Sequence, residues 1–192
     1  MDWWPPACPS GPILVHVPSS KARSPVMSKS ARRSVGTPAT LALDRAGVPH
    51  ELHAYSHDPR SHHFGTEAAA LLGVDPSRVF KTLVVELSGA DVALVTAVVP
   101  ASGQLSLKAI AAHSHAKKAA LADPAVAQRA TGYVVGGISP LGQKHQTPVF
   151  IDSSSRAFET IFVSGGRRGL SVEIAPHDLS VVTHGSFAEL SG

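Results

Sequence analysis

The sequence predicts an α+β domain built on a mixed, largely antiparallel sheet. Three observations lead there. Short apolar runs of strand character outnumber helical stretches. Helices separate some of these runs but not others, so the chain is not a regular strand–helix alternation. Val79–Leu87 and Val92–Val99 flank the turn residues Ser88-Gly89-Ala90-Asp91, the pattern of an antiparallel hairpin.

Residues 1–34 precede the predicted domain and are expected to be disordered. Six prolines, Pro5, Pro6, Pro9, Pro12, Pro18 and Pro25, interrupt any regular pattern, and Lys21–Arg33 is basic and serine-rich. The run Gly11–Val17 is apolar, but no basic region precedes it, which argues against a secretory signal. Met27 opens MSKSARRS and is the expected start, with residues 1–26 as an upstream extension.

The domain is expected over residues 35–192. Thr37-Pro38 supplies a capping hydroxyl and a first-turn proline for a helix through Leu41, Leu43 and Ala46, which Gly47 closes. His50–Tyr55 reads as a strand. Phe64-Gly65-Thr66 leads into a second helix, Glu67–Leu72, closed by Gly73. After the hairpin, Ser106–His113 is a serine-capped helix, and Asp123-Pro124 caps another that Gly132 ends. Tyr133–Val135, Pro148–Ile151, Phe158–Val163 and Leu170–Ile174 read as strands, and Pro176–Val182 as a last short helix.

Composition narrows the function classes. The 192 residues are 43% hydrophobic and 16% charged, and no apolar run approaches the ~20 residues of a membrane span. The net charge of +3 is concentrated at the front: residues 1–34 hold five Lys/Arg and one Asp, the rest twelve Lys/Arg and thirteen Asp/Glu. A near-neutral domain gives no bulk-charge argument for nucleic-acid binding. The single cysteine, Cys8, lies in the leader, which fits a reducing cytoplasm and leaves the domain without a thiol nucleophile.

Two glycine turns stand out. Tyr133-Val134-Val135 runs into Gly136-Gly137, then Ser139-Pro140 and Gly142. Ile161-Phe162-Val163 runs into Ser164-Gly165-Gly166, then Arg167-Arg168-Gly169. Glycine allows close approach to the backbone, so the pair can form two lips of one pocket or two ordinary loops. Lys81 shares a strand face with Val79, Leu83, Val85 and Leu87. It either reaches a pocket at the strand's end, where it would bind an anion or substrate oxygens, or extends to solvent.

Other chemistries find less support. His50, His53, His57, His62 and His63 fall within fourteen residues, but their spacing matches no tight zinc pattern and they are expected as surface imidazoles. Gly137-Ile138-Ser139-Pro140-Leu141 lacks the last glycine of a nucleophile elbow. P-loop and dinucleotide fingerprints are absent.

VFKTLVVEL, DPAVAQRATGYVVGGISPLGQK and IFVSGGRRGL, in this order, resemble the YbaK/EbsC family, nearest its Cys-tRNA(Pro) deacylase branch, from about Thr37 to Leu190. The resemblance implies a barrel-like sheet flanked by short helices, shared with the editing domain of bacterial prolyl-tRNA synthetases. It implies removal of cysteine from mischarged Cys-tRNA(Pro), with the cysteine thiol attacking its own ester, and no metal or cofactor. A missing methylene is worth only ~1–3 kcal/mol in an apolar pocket, so a synthetase that confuses cysteine with proline needs a second site.

Carried onto this chain, the family's catalytic positions fall on Lys81, Gly136 and Ser164. Its substrate-binding positions fall on Tyr55, Phe64, Gly137, Gly166 and Ser171. Where the branch usually has aspartate after its GGKRGL motif, this chain has Ser171, which leaves room for another misacylated tRNA such as Ala-tRNA(Pro). A silent module that binds tRNA or a synthetase is the non-enzymatic alternative. The near-neutral domain implies weak intrinsic tRNA affinity, so prolyl-tRNA synthetase is the expected partner in a ternary complex.

Overall fold

The computed structural model describes residues 36–61 and 63–191. The expectations for residues 1–34 and for His62 lie outside the described residues.

Helix α1 (Pro38–Ala46) starts where the sequence places it. Thr37 Oγ1 accepts from Thr40 N at 3.2 Å and Thr40 Oγ1 accepts from Thr37 N at 3.1 Å, so two otherwise unpaired helix-start donors are satisfied reciprocally. Strand β1 (His50–Ala54), helix α2 (Phe64–Leu72) and a 3-10 turn at Pro76–Arg78 follow. The hairpin forms β2 (Phe80–Ser88) and β3 (Leu94–Pro100), paired antiparallel with Lys81 opposite Val99. Then come α3 (Leu107–His113), β4 (Lys118–Leu121), α4 (Pro124–Thr131), β5 (Val149–Asp152), β6 (Ile161–Ser164), β7 (Leu170–Ile174), α5 (Pro176–Thr183) and β8 (Ser186–Ala188).

The strands form two sheets, β1-β7-β6 and β4-β2-β3-β5-β8. Four pairings are antiparallel, while β3–β5 and β5–β8 are parallel. The sheet is thus mixed and largely antiparallel, as its sequence predicts. It does not close into one barrel: a single parallel bridge, Val79–Phe162, joins the two sheets. The edge of β2 opposite β3 meets that bridge at one end and β4 from Val85 to Ser88 at the other. Between these contacts the edge borders a cavity.

The central sheet separates two cores, because side chains alternate across a strand. Phe80, Val98 and Ile151 face α1, α5 and the second sheet, with Leu43, Ile161, Val172 and Leu179. Val85, Val95, Val99 and Ile110 pack with Leu190 on the α3 side. Each such fully buried aliphatic side chain stabilises the fold by ~1.5–3 kcal/mol.

Four elements differ from expectation. Tyr133–Val135 is not a strand; it is an irregular segment that ends in a turn closed by Gly137 N donating to Val134 O at 2.9 Å. The Tyr133 hydroxyl donates to Leu141 O at 2.7 Å, tying the segment back on itself so that no strand edge meets it. Burial pushes this phenol up to about 12. The segment expected as strand from Phe158 becomes regular only at Ile161. Strands β4 and β8, Lys-Ala-Ala-Leu and Ser-Phe-Ala, carry no strand pattern and exist because β2 and β5 offer edges to pair with.

Candidate functional site

A cavity of about 410 Å3 opens along the free edge of β2. Its walls come from β2, the first turn of α2, the β4–α4 link, the Gly136 turn and the β6–β7 pair. Tyr55, Phe64, Lys81, Gly136, Ser164 and Ser171 all line it. Six of the eight residues singled out from the sequence therefore meet in one space, although they span 117 positions of the chain from Tyr55 to Ser171.

The two remaining residues lie behind the wall. Gly137 is buried, and a Cβ there would lie 2.9 Å from Arg167 Cα and 3.1 Å from Arg168 N. Gly166, at φ +92°, packs against the Tyr133 ring, where a Cβ would come within 2.8 Å. Both lack a side chain because the two turns and their supports touch backbone to backbone or ring. Arg168 closes the contact by donating from Nε and Nη2 to Val135 O at 3.0 and 2.9 Å. The two lips are thus one joined unit.

Gly136 sits at φ +84°, a left-handed conformation that disfavours any side chain. The Phe64 ring fills the place a Cβ would take, with ring carbons 2.6 Å from it. The Gly136 N–H has no hydrogen-bond partner among the described residues. Gly136 itself lines the cavity.

Lys81 is half-buried, and its ammonium is tied to the protein. Its Nζ donates to Gly103 O at 2.5 Å and, more weakly, to Ala101 O at 3.4 Å. Both carbonyls belong to the loop between β3 and α3. Burial lowers its pKa from the usual lysine range. It is the one Lys or Arg on the cavity wall, and no Asp or Glu lines the cavity among the described residues.

Ser164 and Ser171 are cross-strand partners on β6 and β7. Ser164 Oγ accepts from Gly166 N at 3.3 Å, so the second glycine turn orients this hydroxyl from behind. Ser171 is buried, and on its other side it pairs with His53 of β1. Burial raises the Tyr55 phenol, the Glu67 charge adds to this, and hydrogen bonding to Ser171 and the Gly169 backbone opposes it.

Other wall residues lie outside those assigned from sequence, among them His63, Thr82, Ala101 and Gly65. Thr82 lines the cavity, and its Oγ1 is buried without a partner. Ala101 lines it from the β3–α3 loop, and Gly65 from α2. The hairpin register was the one available signal for Ala101, since Lys81 opposite Val99 brings the following residues alongside the start of β2.

The histidines are not all surface groups. His57 is largely buried; its Nδ1 lies 2.9 Å from Glu67 Oε2, and its ring packs on Phe64 with centroids 5.5 Å apart. Burial acts to raise the Glu67 carboxyl, but the hydrogen bonds from Asp58 N and His57 outweigh it and hold it low. His53, with Glu51 and Glu173, forms the one His/Cys/Asp/Glu group of ligand-compatible spacing among the described residues. Arg78 Nη2 and Thr160 Oγ1 already donate to Glu173 Oε1, at 2.9 and 2.6 Å.

The profile of the aminoacyl-tRNA editing domain matches residues 61–181. EbsC of Enterococcus faecalis, provisionally named a Cys-tRNA(Pro)/Cys-tRNA(Cys) deacylase, is 35% identical over 158 residues, covering 81% of this chain and 93% of EbsC. YwhH of Bacillus subtilis, a protein without a described function, is 32% identical over 59% of this chain and 71% of its own. The crystal structure of a protein provisionally described as a trans-editing enzyme for prolyl-tRNA synthetase superposes with a TM-score of 0.72. It covers 83% of this chain and 99% of that one at 20% identity, a likeness of fold.

Proposed function

The chain belongs to the aminoacyl-tRNA editing domain family, and on that premise we propose that it is a trans-editing deacylase that removes cysteine from mischarged Cys-tRNA(Pro) in the cytoplasm. The observation that carries this reading is the meeting of Lys81, Gly136 and Ser164 in one cavity without a nucleophilic thiol or a carboxylate on its wall.

That chemistry suits a substrate that supplies its own nucleophile. The cysteine sulfur bonds to its own ester carbonyl carbon, the ribose oxygen leaves and takes up a proton, and cysteine departs as a cyclic thioester. The free Gly136 N–H donates to the oxygen on which charge develops, a role worth ~3–4 kcal/mol for a preorganised donor. Lys81, already fixed by the β3–α3 loop, holds the tRNA terminus or the ester oxygens. Ser164 and Ser171 offer hydroxyls to the aminoacyl group, and Tyr55 and Phe64 shape the space around it. No metal or cofactor enters the scheme. Prolyl-tRNA synthetase supplies tRNA selectivity in a ternary complex.

Deacylation of a panel of charged tRNAs tests the reading. Cys-tRNA(Pro) is expected to turn over and Ser-tRNA(Pro), without sulfur, to remain nearly intact; equal rates would point to attack by water instead. Ser171 favours a second reading. A hydroxyl in place of the branch's usual carboxylate, facing a cavity with no acid on its wall, suits a different aminoacyl group, and preferred release of alanine from Ala-tRNA(Pro) would support it.

A further inference from the structure

We infer that Gly65 is a positioning residue for the Lys81 ammonium, acting through Ala101 on the loop whose carbonyls hold that group. The inference rests on the reading of Lys81 as the cation that meets the substrate.

The holding contacts come from the loop alone. Lys81 Nζ donates to Gly103 O and Ala101 O, and desolvation is the one cause of its lowered pKa. An ammonium carries three protons, so the loop sets where the remaining one points. Ala101 is itself anchored, with its N–H donating to Val79 O at 2.7 Å at the end of the hairpin. A shift of this loop moves the charge.

Helix α2 rests on the same loop at Gly65. A Cβ there would lie 2.6 Å from Ala101 Cβ and 3.7 Å from Ala101 Cα. Gly65 sits in the first turn of α2, outside the left-handed region, so its backbone has no need of glycine, and alanine would favour the helix. What glycine provides is the close approach to Ala101.

The neighbouring residue makes the contact consequential. Phe64 lies on Gly136, where a Cβ would meet its ring at 2.6 Å, and the Arg168 guanidinium carbon sits 5.2 Å from the ring centroid. The first turn of α2 is therefore wedged between the loop that holds Lys81 and the turn that carries Gly136. A methyl group at position 65 must move one of them. Either the loop retreats with the acceptors of Lys81, or α2 rises and Phe64 leaves Gly136.

Single-turnover deacylation of charged tRNA by the full chain tests this, with Gly65→Ala, Gly65→Ala/Ala101→Gly and Lys81→Ala compared with the parent. Because a displacement of about 1 Å can slow a reaction about 100-fold, Gly65→Ala is expected to lower the saturated rate at least about tenfold, with half-saturation within about twofold. Removing the opposing methyl in the double variant is expected to restore most of the rate, which a general loss of stability would not do. Parental speed in Gly65→Ala, or no recovery in the double variant, overturns the inference. If Gly65→Ala does not fold, Ala101→Val crowds the same contact from the loop side, and parental speed there overturns it equally. Activity retained in Lys81→Ala refutes the underlying site reading, whereas an inactive Lys81→Ala beside a fully active Gly65→Ala refutes only the role of Gly65.

Discussion

The two glycine turns look alike in sequence and do different work in the fold. At Gly136, which lines the cavity, the missing side chain lets Phe64 settle on the backbone. At Gly165 and Gly166 it lets the turn pack into the interior, where Thr37 Oγ1 donates to Gly165 O at 2.6 Å and Tyr133 and Leu170 occupy the space. The first turn contributes backbone to the site. The second contributes one side chain, Ser164, and otherwise serves as its support. A glycine's role follows from what fills the volume it vacates.

Substitutions separate these roles. The largest effect is expected outside both turns: Lys81→Ala should slow deacylation by about 100-fold or more, as for loss of a preorganised charge-stabilising donor, with Tm nearly unchanged. Gly136→Ala comes next, a loss of rate of about 10- to 100-fold from displacement of Phe64 and the N–H. If Gly136→Ala instead stays active and merely melts earlier, the two turns are equivalent after all. Gly166→Ala should show the reverse pattern. A left-handed alanine is strained by ~1–2 kcal/mol, and crowding of Tyr133 adds to it, so Tm should fall by about 5 °C while the rate per folded molecule is kept.

Two smaller effects follow from titration. Burial lowers the Lys81 pKa, so the ammonium is lost before the usual lysine range, and the enzyme-dependent rate should begin to fall below pH ~10.4 once spontaneous ester hydrolysis is subtracted. At Glu173, which does not line the cavity, burial tends to raise the carboxyl, but hydrogen bonds from Thr160, Arg78 and His53 outweigh it and depress its pKa. Its stabilising contribution is then complete above the unfolded carboxyl value of ~4.3 and lost as pH falls through the folded one. Glu173→Gln should flatten the acid limb of a Tm–pH profile below that point and leave deacylation intact.

Much of this was legible in the chain. Thr37-Pro38 and Gly47 bracketed α1, and the Ser88–Asp91 turn announced the β2–β3 hairpin, because caps and turns are written in local residues. Resemblance supplied the candidate positions. What misled was Tyr133–Val135, where three apolar β-formers read as a strand but a tyrosine hydroxyl bound the segment to its own continuation. The sequence places His57 among surface groups, since nothing near it along the chain shows that Glu67 and Phe64 will enclose it.

By itself the sequence determined the order of the helices, the hairpin, the strand face that carries Lys81 and the absence of a thiol from the domain. These depend on neighbours along the chain or on residue chemistry. Only the tertiary structure decided that the Lys81 ammonium is held by Gly103 and Ala101, that Gly136 lines the cavity while Gly137 and Gly166 lie behind it, and that the first turn of α2 is wedged between Ala101 and Gly136. Those outcomes depend on contacts between segments tens of residues apart, and local propensity carries no record of what will fill the space beside a glycine.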